Sequence, residues 1–142
     1  MSLEENKAIV RRLFEEFNKH NVALLDKLIA PDYFDHALQS RSLEDYKQFI
    51  TMFINGFPDF HVTIEDIIAE GDKVWVLVKF TGTHTGEFRG LAPTGKKCKI
   101  TVVHIYRIFN GKVVENWSID DWMDCYKQLG VIEYKGFPED AS

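Results

Sequence analysis

The sequence predicts an α+β domain in which N-terminal helices cover one face of a curved antiparallel sheet. Two features lead to this class: apolar residues recur at helical intervals over residues 1–56, and strand-like alternation follows from residue 61. No repeat, low-complexity tract or linker interrupts the 142 residues, a length that suits one domain with its own core. We therefore predict a single domain over residues 1–142, of which residues 130–142 form a C-terminal tail.

Three helices are predicted before the sheet. Ser2 and Glu5 have the spacing of a capping box, and an amphipathic helix follows them to about residue 20. A short second helix is expected over residues 21–30, because a proline follows it. The third helix begins after Ser42 and is predicted to end with Gly56 in a left-handed conformation.

Long strands follow the helices, whereas residues 31–37 between the second and third helices are predicted to form a turn. Residues 61–69 and 74–84 alternate in polarity, and residues 86–95, rich in glycine, are predicted to be a loop. The Asn110-Gly111 pair lies between two strand-like runs and is a strong hairpin signal. Strands of ten residues span ~33 Å, so the sheet must bend, and helices packed on it would enclose a pocket.

The two strands of the hairpin carry the candidate site. Counting in steps of two places His104 and Tyr106 on one face of the first strand, and Trp117 and Asp121 on one face of the second. If both faces point inward, His104 and Asp121 share one mostly apolar space. Asp120 would point the other way in a regular strand, although a bulge at the strand end would exchange the two acids.

Composition and charge exclude several classes of partner. The net charge is -5 with no basic stripe, so nucleic acid and anionic membranes are not expected partners. No apolar run approaches the ~20 residues of a membrane helix, and the polar N-terminus does not resemble a signal peptide. Cys98 and Cys125 lie far apart in sequence, which argues against a disulfide framework and for a reducing, cytoplasmic location.

No motif in the sequence indicates a metal or a cofactor. His36, His84 and His104 could in principle supply three imidazoles, but no two have a short ligand spacing, so no metal site is predicted. A P-loop, a dinucleotide fingerprint and a nucleophile elbow are all missing from the sequence.

Short motifs along the chain together resemble the SnoaL-like polyketide cyclases. Each motif is weak alone, but their joint order from the first helix to Gly130 is specific for the family. The resemblance implies the cone-shaped α+β fold of the nuclear transport factor 2-like superfamily. It also implies a cofactor-free enzyme that closes a ring by intramolecular aldol condensation on an apolar, carbonyl-bearing small molecule. The matching residues are Phe57-Pro58-Asp59, Glu70-Gly71-Asp72-Lys73-Val74, Gly82-Thr83-His84-Thr85-Gly86, Pro93-Thr94-Gly95, Arg107, Asn110-Gly111-Lys112, Val114-Glu115, Trp117 with Asp121, and Gln128-Leu129-Gly130.

The resemblance also implies roles for individual residues. Asp121, at the end of the W-x-x-x-D segment, matches the general acid/base, and His104 matches a histidine of the pocket. The simpler alternatives are a helix-capping carboxylate for Asp121 and a buried, hydrogen-bonded imidazole for His104. Steroid isomerases of this fold use a tyrosine on the first helix, where this chain has phenylalanines, so the oxyanion partner is left unassigned. Further residues expected in the pocket or its walls are His36, His84, Trp117, Tyr106, Phe80, Phe14 and Phe17.

Two other functions fit the same sequence. A binding protein could use the pocket without chemistry, since fold alone does not determine function. A dehydration or epoxide hydrolysis is also possible, but epoxide opening needs two carboxylates and an arginine, and only one pocket acid is predicted. Arg107 has the wrong strand parity to join His104. Apolar residues predicted on the outer sheet face, namely Val103, Ile105 and Phe109, indicate a homodimer or a higher homo-oligomer.

Overall fold

The computed structural model describes residues 2–40, 42–133 and 135–136. The predicted α+β class is confirmed: helices pack on the concave face of a curved sheet of five strands. Of the predicted tail, residues 134 and 137–142 lie outside the described residues. The elements are α1 (Leu3–Asn18), a 3-10 turn (Val22–Leu24), α2 (Leu25–Leu28), β1 (Ile29–Asp35), α3 (Leu43–Gly56), β2 (His61–Glu70), β3 (Lys73–Thr83), β4 (Lys97–Phe109), β5 (Lys112–Asp120) and α4 (Trp122–Leu129).

The helix starts agree with their sequence signals. The Ser2 hydroxyl accepts a hydrogen bond from the Glu5 amide at 3.1 Å, and the Glu5 carboxylate accepts one from the Ser2 amide, which completes the capping box. The Ser42 hydroxyl caps α3 by accepting a hydrogen bond from the Asp45 amide. The left-handed stop predicted at Gly56 is wrong, since Gly56 is the last residue of α3 and has no positive φ. A Cβ there would lie 2.8 Å from Cβ of Phe88, so close packing is what requires the glycine.

The sheet has the strand order β1-β5-β4-β3-β2 and is antiparallel except for the parallel pair β1–β5. The turn predicted over residues 31–37 is therefore wrong, because most of this segment belongs to β1. Pro31 is tolerated there because β1 is an edge strand, and a proline on an edge need not donate to a neighbour. The second helix is correspondingly shorter than predicted and ends at Leu28.

The β4–β5 hairpin forms as predicted but contains an irregularity near its turn. Asn110 and Gly111 have φ values of 50° and 76°, as a tight hairpin turn requires. Arg107 pairs with Glu115, whereas the next residue of β4 pairs with Val113, so Val114 is an extra residue in β5. From this bulge onward, the side chains of β5 point to the opposite faces from those that regular alternation predicts.

Helix α4 begins directly after Asp121, which follows β5. It ends at Leu129, and its C-cap is Gly130 with a left-handed φ of 77°. Cys98 of β4 and Cys125 of α4 form a disulfide with their Cα atoms 5.5 Å apart. The expectation against a disulfide, and the argument from it for a reducing compartment, are therefore wrong: the fold brings together two cysteines that are distant in sequence. Within the described ranges, no helix has both the length and the apolar character needed to cross a bilayer.

Candidate functional site

A cavity of about 310 Å³ lies between α1, α3 and the concave face of the sheet. Its walls are mainly aromatic and aliphatic, and they include Phe14, Phe17 and Phe80, as predicted, together with Phe53, Phe60 and Val102. A small polar group interrupts this surface, formed by Asp35, Tyr46, His104, Asn116, Ser118 and Asp120. An apolar cavity with a few converging polar groups is the usual form of a small-molecule site.

Asp120 lines the cavity, and Asp121 does not. Asp120 accepts a hydrogen bond from the indole Nε1 of Trp122 at 3.2 Å. Asp121 is exposed and caps α4, accepting a hydrogen bond from the Asp124 amide at 3.1 Å. The predicted inward placement of Asp121 is thus wrong, and its alternative as a helix cap describes what it does. The bulge at Val114 is the physical reason, because it exchanges the faces of all later residues in β5.

The same exchange brings two further polar residues of β5 inward. Asn116 pairs with Tyr106, Ser118 with His104, and Asp120 with Val102. Asp120 is therefore a diagonal neighbour of His104 across the hairpin, within reach of interaction on one face.

His104 points into the cavity as predicted and is held by Asn116. The Asn116 amide nitrogen donates to Asp35 at 3.2 Å, so its oxygen faces Nδ1 of His104 at 3.1 Å. Nδ1 must then carry the hydrogen, and Nε2 has a free lone pair in the neutral ring. Burial lowers the pKa of His104, against the opposing effects of Asp120, Asn116 and Asp35. The ring is therefore an uncharged hydrogen-bond acceptor near neutral pH.

Asp35 is the second carboxylate of the cavity, but its oxygens are already engaged. One oxygen accepts the amides of Ala37 and Leu38 at 3.0 and 3.1 Å. The other accepts the Tyr33 hydroxyl at 2.6 Å and the Asn116 side chain. With 2% of its surface exposed, Asp35 anchors Asn116 and, through it, His104.

The model of the family described as SnoaL-like polyketide cyclase matches residues 8–129. The chain belongs to this family. Family membership confirms the prediction of a small enzyme of the cyclase type.

Individual SnoaL-like relatives agree with this assignment. Aklanonic acid methyl ester cyclase DauD from Streptomyces sp. (strain C5) is 28% identical over 129 residues, which cover 86% of this chain and 80% of DauD. Wild-type IdmH from Streptomyces antibioticus superimposes with a TM-score of 0.79 at 31% identity, covering 88% of this chain and 98% of IdmH. AclR from Streptomyces galilaeus, named as a candidate hydroxylase, has a TM-score of 0.86 at 28% identity. The match covers 99% of this chain and 95% of AclR.

In this SnoaL-like chain, two residues predicted for the pocket lie instead on the outer face of the sheet. His36 and Trp117 stack on each other with ring centroids 4.4 Å apart. Nε2 of His36 lies 2.7 Å from Glu115, whose other oxygen accepts from Arg107, and the hydrogen bonds from His36 and Arg107 lower the pKa of Glu115. The bulge again explains the wrong prediction for Trp117. It reverses the alternation of side chains in β5, so Glu115 and Trp117 point outward.

Two other predicted pocket residues are buried outside the cavity. Tyr106 lies behind His104 with the rings stacked 5.2 Å apart, and its hydroxyl has no partner in the part of the chain that the structure describes. His84 is fully buried beneath the 86–95 loop, where its Nδ1 accepts from the Thr94 amide at 3.3 Å and its ring stacks on Phe57. Neither residue lines the cavity, which differs from the placement that the sequence predicted for them.

The sequence reading missed several cavity residues. Tyr46 lies at helical spacing among apolar residues, a pattern that predicts core packing, although a hydroxyl among such residues is a usable signal. The inward placement of Asn116 and Ser118 depends on the bulge in β5, and that of Asp35 depends on the formation of β1. Arg89 also lines the cavity, and its guanidinium lies over Phe49, Phe88 and Trp122 at 5.7, 5.3 and 5.3 Å.

The three histidines considered as metal ligands lie in different places. His36 is on the outer face, His84 is under the loop and His104 is in the cavity. Among the described residues, no three His, Cys, Asp or Glu side chains are grouped so that they could hold a metal ion.

Proposed function

We propose that this chain is a cyclase that closes a carbon ring by intramolecular aldol condensation, with Asp120 as general acid/base and His104 assisting. We also infer that residues 1–142 form a single SnoaL-like domain, because the described helices pack on one and the same sheet. The observation that carries the proposal is that Asp120 and an uncharged His104 face the same apolar cavity. The substrate would be an apolar, carbonyl-bearing small molecule of the polyketide type, in keeping with the name of DauD.

The reaction needs one proton to be removed and one to be delivered. The Asp120 carboxylate takes a proton from a carbon next to a carbonyl group, and the resulting enolate carbon attacks a second carbonyl carbon of the same molecule. The new carbon–carbon bond leaves an alkoxide, which recovers the proton from Asp120. Product and substrate are isomers, so the chemistry balances without a further reactant. A positioned acid/base of this kind contributes ~10²–10⁴-fold to the rate.

His104 would bind the substrate rather than transfer the proton. Its Nε2 lone pair accepts a hydrogen bond from a hydroxyl or enol group, and its Nδ1 is fixed by Asn116. The aromatic walls exclude water from the enolate, which strengthens both polar contacts.

The adjacent acids provide a matched pair of variants. We expect Asp120→Asn to lower turnover of aklanonic acid methyl ester by ~10²–10⁴-fold, followed as conversion to an isomer of equal mass. Asp121→Asn should retain turnover, since asparagine caps helices as well as aspartate does. The opposite outcome for the two variants would remove the proposal. Wild-type protein that binds the ester without converting it would favour the non-catalytic binding function.

Epoxide hydrolysis is less well supported, although two carboxylates and an arginine line the cavity. Asp35 already accepts four hydrogen bonds, so it has no free lone pair with which to activate a water. Arg89 lies over aromatic rings and donates to the Tyr126 hydroxyl at 3.3 Å. Asp35 and Arg89 are thus engaged in structural contacts, which leaves Asp120 as the carboxylate available for chemistry.

We further propose that the outer sheet face pairs with a second copy of this chain. Two apolar rows cross the strands in register: Ile68, Trp75, Ile105 and Trp117 form one, and Leu77, Val103 and Ile119 form the other. Ile119 is 74% exposed and Trp75 is 48% exposed, and a symmetric dimer would cover this self-complementary patch.

Light scattering on a sizing column tests the dimer. We expect the wild-type mass to be that of two chains, and Ile119→Lys to give monomers because it places a charge in the middle of the interface. Met123→Lys is the control, since Met123 is 66% exposed but lies on α4. A monomeric wild type would refute the dimer without affecting the proposed chemistry.

A further inference from the structure

The proposed condensation creates a negative oxygen that needs a hydrogen-bond donor. Asp120 and Asp35 are carboxylates, and His104 presents an acceptor nitrogen, so these groups cannot stabilise an oxyanion. The indole hydrogen of Trp122 is used by Asp120, and one hydrogen of the Asn116 amide is used by Asp35. Arg89 also lines the cavity, but its guanidinium lies over aromatic rings and donates to the Tyr126 hydroxyl. A hydroxyl directed at the cavity would supply the donor, and α1 offers phenylalanines there.

Tyr46 of α3 has the properties of that donor. Its side chain lines the cavity and is only 5% exposed. The ring is held between Phe17 and Tyr33, with centroids 6.1 and 5.1 Å away. Among the described residues no hydrogen bond to its hydroxyl is found, and this hydroxyl, unlike that of Tyr106, is not sealed off from the cavity. A ligand oxygen can therefore take the place of the partner that a tyrosine hydroxyl usually has.

The charges around Tyr46 keep its hydroxyl protonated. Burial raises the pKa of Tyr46 well above its ordinary value, and the nearby Asp35 and Asp120 raise it further. Tyr46 and Asp120 both line the cavity, so one substrate can reach both side chains. A phenol is a stronger donor than the aliphatic hydroxyl of Ser118, the other hydroxyl-bearing side chain of the cavity.

We propose that Tyr46 is a catalytic residue whose hydroxyl donates a hydrogen bond to the substrate oxygen that becomes negatively charged. This inference rests on the proposed condensation and names its missing oxyanion partner. During proton removal the hydroxyl would stabilise the enolate oxygen, while Asp120 holds the proton that it later returns to the alkoxide. Tyr46 keeps its own proton throughout, so the proton balance of the reaction is unchanged.

Tyr46→Phe removes only the hydroxyl and keeps the packed ring. We expect kcat to fall by ~10²-fold with KM nearly unchanged, since losing one oxyanion donor costs ~10²–10³-fold. Tyr106→Phe is the matched control, because it removes a buried hydroxyl that lies outside the cavity and has no partner among the described residues. Unchanged kcat in Tyr46→Phe, equal losses in both variants, or a loss confined to Ser118→Ala would each overturn the assignment.

A binding measurement separates this inference from the identity of the base. The probe is a naphthol, whose anion carries a negative oxygen like that of the enolate, and fluorescence reports the fraction bound as the anion. The reference protein is Asp120→Asn, which mimics the protonated acid. We expect the double variant Asp120→Asn with Tyr46→Phe to bind the naphtholate anion ~10-fold or more weakly than the reference and to bind neutral naphthalene equally well. Equal naphtholate binding with and without the Tyr46 hydroxyl would overturn the inference, whereas full turnover by Asp120→Asn alone would instead overturn the proposed function.

Discussion

His104 and His84 are both enclosed by aromatic rings, yet their surroundings differ. Nδ1 of His104 donates to Asn116, which leaves Nε2 free at the cavity beside Asp120. Nδ1 of His84 accepts from the Thr94 amide, and its Nε2 has no partner in the described part of the chain and lies in packed protein. His84 is fully buried, whereas His104 is partly exposed. The two sites also differ in the direction of the Nδ1 hydrogen bond and in the space at Nε2, and these differences favour the proposed role of His104.

Replacing each histidine by leucine tests this difference most strongly. We expect His104→Leu to lower turnover by ~10²-fold, because the substrate loses its acceptor. His84→Leu should instead lower the free energy of unfolding by about 1–3 kcal/mol, since the Thr94 amide is left unpaired. Turnover per folded molecule and urea denaturation measure the two effects. Equal losses of turnover in both variants would contradict the distinction.

Adding one methyl group compares the free space at the two sites. A Cβ on Gly86, in the loop that covers His84, would lie 1.8 Å from the Asn55 carbonyl oxygen. We expect Gly86→Ala to cost about 2–3 kcal/mol of unfolding free energy, because the backbone must move. Val102→Ile adds its methyl at the cavity wall and should cost less than about 1 kcal/mol. A larger cost at Val102 than at Gly86 would mean that the cavity is not open.

The pH dependence of stability should report His104. Its folded pKa lies below the ordinary value of 6.5 because burial disfavours the charged ring. As the pH falls through 6.5 the unfolded chain takes up a proton that the folded chain does not, so the free energy of unfolding decreases until the folded pKa is passed. Urea denaturation on both sides of pH 6.5 should show this decrease. His104→Leu should reduce it and the exposed His61→Gln should not.

The smallest expected effect concerns which ring nitrogen of His104 and of His84 carries the hydrogen. Nitrogen-detected NMR of the two rings reports this tautomer directly. We expect hydrogen on Nδ1 in His104 and on Nε2 in His84. Asn116→Ala should release His104 from the Nδ1 form and leave the His84 signals unchanged. The Nε2 form at His104 in the wild type would contradict the hydrogen-bond assignment.

The elements that the sequence predicted well depend on neighbouring residues. The capping box at Ser2, the start of α3 at Ser42 and the Asn110-Gly111 turn all form. His104 also faces inward, because β4 is regular along its pairing with β3 and period two holds. Each of these features is specified by side chains that lie within a few residues of one another.

Most of the errors arise where the structure depends on contacts between residues that are distant in sequence. Strand β1 pairs in parallel with β5, about 80 residues away, so its segment looked like a turn. The bulge at Val114 depends on fitting β5 between β4 and β1, and it reversed the assignment of Asp120 and Asp121. The Cys98–Cys125 bond likewise depends on where α4 packs.

By itself, the sequence determined the α+β class, the helix caps, the hairpin and the SnoaL-like family. The tertiary structure alone decided which of two adjacent acids meets His104, and that Tyr46, Asn116 and Asp35 join them. The physical reason is that one extra residue in a strand reverses every later side chain, and only the pairing with both neighbouring strands determines where that residue is accommodated.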